Sequence, residues 1–174
     1  MQTLVIMALK EESQGLFEAA GINLFYCGVG SVKATQNLGQ LISKHLPKQV
    51  LNLGTAGSHL FEVGQLVECT SFVQRILPDQ NNSGTLLYAD PLTLLPRACC
   101  GSADFVESAS AHTACDVFDM EAYFLALVCQ KRRLKFNSIK YVTDASNNDV
   151  VRDWNKNLLL SAQTLLMKLK ELKL

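Results

Sequence analysis

Two carboxylates flank a methionine in Val117-Phe118-Asp119-Met120-Glu121-Ala122, where a short β-like segment (Cys115 to Phe118) gives way to an apolar helical stretch. Three other polar groups stand at comparable junctions. Glu12 follows the apolar run that starts at Thr3. Gly54-Thr55-Ala56-Gly57-Ser58 follows Gln49 to Leu53, and Thr143-Asp144 follows Phe136 to Val142. All four lie beyond the carboxyl ends of separate predicted strands, the edge of a parallel sheet at which ligands bind. Carboxylates held on opposite sides of a scissile bond can serve as acid and base. Each group alone has an ordinary explanation. Glu11 and Glu12 suit a helix start through the macrodipole, Asp144 can cap a turn, and Asp119 can cap the helix after it. Their combination points to a site.

The elements that must position these groups alternate. Residues 3–8 are a β-branched apolar run, as in a strand buried on both faces. Glu11 to Ala20 reads as a short helix closed by Gly21. Asn23 to Cys27 is a second strand, and a helix capped by Ser31 runs to about Leu46, stopped by Pro47. Gln49 to Leu53 is a third strand, with Gly54 to Ser58 as a tight polar loop after it. Residues 65–75 alternate as a strand. Residues 76–96 hold prolines and an Asn-Asn-Ser-Gly turn and predict no regular element. Residues 103–106 and 115–118 are short strand candidates. Met120 to about Lys131 is a buried helix, and Phe136 to Val142 is the last strand. A terminal helix capped by Asn148 or Asp149 carries a stripe of Trp154, Leu158, Ala162, Leu165, Leu169 and Leu172. This order predicts an α/β layered fold with a mostly parallel central sheet, in a single domain over residues 1–174.

Composition removes several function classes. Lys+Arg and Asp+Glu balance at 16 each, so no basic excess recommends a nucleic acid partner. No apolar run reaches the ~18 residues that span a bilayer, so no membrane partner is expected. The start turns from apolar to Lys10-Glu11-Glu12, the reverse of a signal peptide. Six scattered cysteines without a CxxC, and three histidines off ligand spacing, predict reduced thiols in a cytoplasmic protein and no metal site. Gly28-Val29-Gly30 has Lys33 where a dinucleotide fingerprint needs its third glycine. It is read first as a strand-to-helix turn, and otherwise as backbone approaching a sugar or base.

The motifs Ala8-Leu9-Lys10-Glu11-Glu12, Gly28-Val29-Gly30-Ser31-Val32-Lys33-Ala34, Asn52-Leu53-Gly54-Thr55-Ala56-Gly57, Asp104-Phe105-Val106, Asp119-Met120-Glu121-Ala122 and Thr143-Asp144 occur in one order along nearly the whole chain. In them the chain resembles the nucleoside phosphorylase/nucleosidase superfamily, and within it the methylthioadenosine/S-adenosylhomocysteine nucleosidases. The resemblance implies a three-layer α/β/α fold around a mixed sheet. It also implies hydrolysis of a purine N-ribosyl bond, with adenine released from a 5′-substituted ribose and no cofactor. It implies Asp144 as general acid toward purine N7 and Glu12 as the group that holds and deprotonates water. Glu121 would bind the ribose hydroxyls, with Met120 beneath the sugar; Asp119, next to Met120, is read either as a further substrate-binding residue or as a cap of the helix. Phe105 would stack on the base and the Val106 backbone would read its edge. Thr55, with Ala56 and Gly57, would line the site near the water, and Thr143 would support Asp144. The acid role demands that Asp144 hold a proton near neutral pH, through burial or neighbouring acids.

The sequence departs from that family in three ways. It is shorter across residues 76–100, where relatives form the subunit interface and the 5′ pocket. Gln65 replaces an Asp, and Thr143 replaces a Ser. Apolar content and the resemblance together predict a homodimer. Two rivals stand beside the hydrolase. One is a phosphorylase of the same superfamily, disfavoured because no arginine precedes Arg75 and Glu12 would repel an anionic nucleophile. The other is a non-catalytic nucleoside-binding protein, disfavoured because Glu12, Glu121 and Asp144 are all present.

Overall fold

A computed structural model of the chain describes residues 2–75, 85–105, 115–145 and 149–174. Its elements run β1 (Thr3–Met7), α1 (Lys10–Ser13), α2 (Leu16–Ala19), β2 (Leu24–Tyr26), α3 (Ser31–His45), β3 (Gln49–Ser58) and β4 (Leu66–Gln74). They continue with β5 (Leu87–Tyr88), β6 (Arg97–Ser102), β7 (Val117–Asp119), α4 (Ala122–Lys131), β8 (Lys135–Asp144) and α5 (Val150–Leu172).

Strand alternation sorts the core into two layers. In β1, Leu4 and Ile6 pack toward Ala34, Leu38 and Ile42 of α3 and Leu125, Ala126 and Cys129 of α4. Val5 and Met7 point the other way, toward Phe17 of α2 and Leu165 and Leu169 of α5. β3 repeats the division, with Val50 on the first side and Leu51 and Leu53 on the second. A continuous apolar strand with helices on both faces is the cause of the three layers, each fully buried Leu, Ile, Val or Phe contributing ~1.5–3 kcal/mol.

The sheet has eight strands in the order β2-β1-β3-β7-β6-β4-β5, with β8 pairing both β3 and β4. The β3–β8–β4–β6–β7 pairings therefore close on themselves. Five pairings are parallel and three antiparallel, so the sheet is mixed and mostly parallel. Among the described residues, no helix is long and apolar enough to cross a membrane. The cysteines form no disulfide among the described residues, and all but Cys99 are buried.

Several local expectations are corrected. The first helix is two short ones, because Gln14 (φ 50°) and Gly15 (φ 70°) are left-handed and interrupt it. Gly54 to Ser58 is strand and not loop: β8 keeps pairing with β3 past Leu53, and Gly57 and Ser58 then pair with β7. Ser31 is the first residue of α3 and Gly30 is its N-cap; the Ser31 hydroxyl is spent on Asp104. The strand near residue 100 is 97–102 and not 103–106, because Arg97 to Ser102 pairs with both β4 and β7. Thr143 and Asp144 belong to β8 itself. Asp149 is the N-cap of α5. Asn148, the Asn-Asn-Ser-Gly turn and Val106 lie outside the described residues.

Candidate active site

The carboxyl ends of β1, β3, β7 and β8 meet at one cavity of about 300 Å³. Glu12, Thr55, Ala56, Gly57, Phe105, Asp119, Met120, Glu121, Thr143 and Asp144 all line it. The parallel register of β1, β3 and β8 brings their ends to one edge, so Glu12 and Asp144, 132 positions apart in the chain, share a wall.

Glu12 sits in the first turn after β1 and is 5% exposed. Its Oε2 accepts the backbone N–H of Ala8 (3.2 Å) and of Leu9 (3.0 Å), as an acid in the third position of a helix commonly does. Its Oε1 accepts the Thr55 N–H at 3.0 Å and the Thr55 hydroxyl at 2.9 Å. Four donors hold this carboxylate in one orientation, and two of them come from β3.

Asp144 ends β8 and is 3% exposed. The Thr143 hydroxyl lies 2.9 Å from Asp144 Oδ2 and 3.4 Å from the Ala56 carbonyl. Asn157 of α5 donates to the Thr143 carbonyl at 2.8 Å, which ties the terminal helix to this strand end.

Glu121 is the N-cap of α4, and its Oε1 accepts the Gly30 N–H at 2.9 Å. The Gly28–Gly30 turn, with both glycines left-handed (φ 82° and 86°), thus contributes backbone to the site. A Cβ at Gly30 would lie 3.0 Å from Asp104 Oδ1. Burial and the neighbouring Asp119 charge push the Glu121 carboxyl up to about 8, against the pull of Lys140 and the Gly30 N–H.

Asp119 turns inward. Its Oδ2 lies 2.8 Å from Lys140 Nζ and also accepts the Ala122 N–H at 3.0 Å; Oδ1 takes the hydroxyl of Ser102 at 2.5 Å. It therefore caps the first turn of α4 and neutralises a lysine. Burial works to raise its carboxyl, and the charge and hydrogen bond of Lys140 outweigh this and leave it lowered.

Three site residues escape the sequence reading. Lys140 is 2% exposed within β8. Burial works to lower its ammonium, but the charges of Asp119, Cys100, Glu121 and Glu12 outweigh it and hold the group above its ordinary value. The available signal was a charged residue in the middle of an apolar strand, which must find a buried partner. Arg75 lines the cavity with its guanidinium 5.2 Å from the ring centres of both Phe105 and Phe118, and donates to the Gly101 carbonyl at 3.2 Å. Trp154, counted in the apolar stripe of α5, is half-buried on the cavity wall. Among the described residues, no three His, Cys, Asp or Glu side chains are grouped to hold a metal ion.

No protein-family model and no curated protein matches the sequence. Solved structures do match the fold. The 5′-methylthioadenosine/S-adenosylhomocysteine nucleosidase of Helicobacter pylori, with butyl-thio-DADMe-Immucillin-A, superposes with a TM-score of 0.85 at 19% identity, over 99% of this chain and 97% of the other. The fold is that of the methylthioadenosine/S-adenosylhomocysteine nucleosidases. A futalosine hydrolase mutant of H. pylori shares this nucleosidase fold with a TM-score of 0.84 at 19% identity, over 99% of this chain and 98% of that one. The nucleosidase of S. pneumoniae with the transition-state inhibitor MT-ImmA gives 0.82 at 14% identity, over 99% of both chains. The shared fold thus extends over 99% of this chain in all three comparisons.

Proposed function

We propose that this chain hydrolyses the N-ribosyl bond of a purine nucleoside of the 5′-methylthioadenosine or S-adenosylhomocysteine type. The observation that carries the reading is the placement of two buried carboxyls, Glu12 and Asp144, on the wall of one cavity that Glu121 also lines. The shared fold with nucleosidases supports it.

In this reading the bond between C1′ and the purine nitrogen breaks with its electron pair leaving on the base. Asp144 gives its proton to N7 of the departing purine. Water attacks C1′ and its proton passes to Glu12. The products are free base and a 5′-substituted ribose. Cationic character grows on the sugar, which the carboxylates stabilise. Glu121 accepts from the ribose hydroxyls, Met120 is the apolar floor, and Phe105 covers the base. Thr55 orients Glu12, and Asp119 acts through Lys140.

Water is preferred to phosphate as nucleophile. Lys140 is already engaged by Asp119 at 2.8 Å, and Glu12 brings negative charge to the nucleophile side. The test incubates the protein with methylthioadenosine, adenosylhomocysteine, adenosine and inosine, with and without phosphate, and measures free base. Release independent of phosphate supports the hydrolase. Release that requires phosphate makes it a phosphorylase, and binding without release makes it a nucleoside-binding protein. A homodimer belongs to the same reading and is tested by light scattering of the eluted protein.

A further inference from the structure

We propose that Trp154 is a positioning residue for the Glu12 carboxylate and acts through the Thr55 hydroxyl. Its catalytic meaning rests on the hydrolase reading; its geometry rests on three contacts. The indole N–H lies 2.9 Å from Thr55 Oγ1. Thr55 Oγ1 lies 2.9 Å from Glu12 Oε1, and the Thr55 backbone N–H lies 3.0 Å from the same oxygen.

The direction of the chain follows from what each group is able to do. An indole N–H only donates, and a hydroxyl has one proton and two lone pairs. The indole takes a lone pair of Thr55 Oγ1 and leaves its proton to be given away. The acceptor waiting for it is the Glu12 carboxylate. Trp154 thereby fixes Thr55 as a donor and completes the pair of bonds on Oε1. The other carboxylate oxygen is held by Ala8 and Leu9. Bonds in such a chain also polarise one another.

The residue sits well for this task. It lies in the first turns of α5, and one turn later Asn157 holds the carbonyl of Thr143, the neighbour of Asp144. One helix is thus pinned to both β3 and β8 at the cavity wall. A packing role would need only a large ring. The N–H distinguishes positioning from packing.

Trp154 is the only tryptophan of the chain, which permits two clean tests. In the first, tryptophan is replaced biosynthetically by 3-benzothienyl-alanine, which keeps the bicyclic ring and removes the donor; W154F is made alongside. Both should lower kcat about tenfold with KM within about twofold, the loss of one hydrogen bond's worth of orientation. T55V should cost a similar factor, and W154F/T55V should be no slower than T55V alone. A benzothienyl protein with wild-type kcat, or factors that multiply in the double variant, overturns the proposal.

The second test needs no turnover and so separates this inference from the hydrolase reading. The single indole 15N–1H resonance is compared in wild type, E12Q, T55V and T55V/E12Q. A shift of the resonance by E12Q that disappears in the T55V background supports the relay. An indole resonance indifferent to E12Q sinks it, whether or not the protein releases base from any nucleoside.

Discussion

Lys140 Nζ lies 2.8 Å from Asp119 Oδ2, and the two side chains are only 3% and 2% exposed. This pair joins β8 to β7 beneath the cavity. It lets a strand with a charged residue at its centre stay in the interior, because the lysine is paired and its partner is further bonded to Ser102 and Ala122. K140M should cost about 3–5 kcal/mol of stability, since it strands a buried carboxylate. K140M/D119N should cost less than the two single changes together. Urea unfolding of the four proteins measures both quantities, and a K140M loss under ~1 kcal/mol would refute the pairing argument.

Glu121 makes stability depend on pH. Its carboxyl is pushed up to about 8 from 4.5 by burial and by Asp119. Between those values the folded protein binds a proton that the unfolded chain has lost. Stability from this group is therefore fully present below 4.5 and is lost as pH rises through about 8. E121Q should flatten this part of the profile. The measurement is the change in unfolding free energy between pH 5 and pH 9 in each protein; equal changes would count against the raised carboxyl.

Gly54 keeps a gap open between two charged groups. A Cβ there would lie 3.1 Å from Glu12 Oε1 and 3.2 Å from Lys140 Nζ. Its backbone is ordinary strand, so G54A brings crowding without torsional strain. Glu12 and Lys140 are each held by other bonds and have little room to yield. G54A should lower stability by about 1–3 kcal/mol and slow base release about tenfold or more. A variant equal to wild type in both respects would show that the Glu12 carboxylate moves freely.

Asp144 and Glu12 should behave differently from the residues around them. D144N removes a transferable proton at nearly constant shape and should reduce kcat by on the order of a hundredfold or more, with a smaller change in KM. E12Q should do the same by removing the base. Thermal melts should show that D144N remains folded. Near-normal turnover in D144N ends its assignment as general acid.

The fold was legible because its signals are local. Continuous β-branched runs at 3–8 and 49–53 and the α5 stripe depend on periodicity alone, and β1, β3 and α5 form there. The errors cluster where pairing overrides local preference. Gly54 to Ser58 has turn-forming residues, yet β8 and β7 supply ladder partners and keep it extended. Arg97 to Ser102 has weak strand character by itself and becomes β6 between β4 and β7. Asp119 illustrates the same limit at the site. As a sequence neighbour of Glu121 it reads as part of an acid pair, but in space its partner is Lys140, 21 residues on.

The sequence by itself determined the layered α/β order and the strand-end positions of Glu12, Glu121 and Asp144, because strand periodicity and junction chemistry are written in neighbouring residues; Thr55 it left in a loop, where pairing makes it part of β3. Only the tertiary structure decided which side chains those four meet. The Gly30 N–H on Glu121, the four donors around Glu12, the indole of Trp154 behind Thr55 and the lysine beneath Asp119 all come from other elements. Hydrogen bonds and ion pairs act over about 3 Å in space and are indifferent to separation along the chain, so no spacing rule in one sequence encodes them.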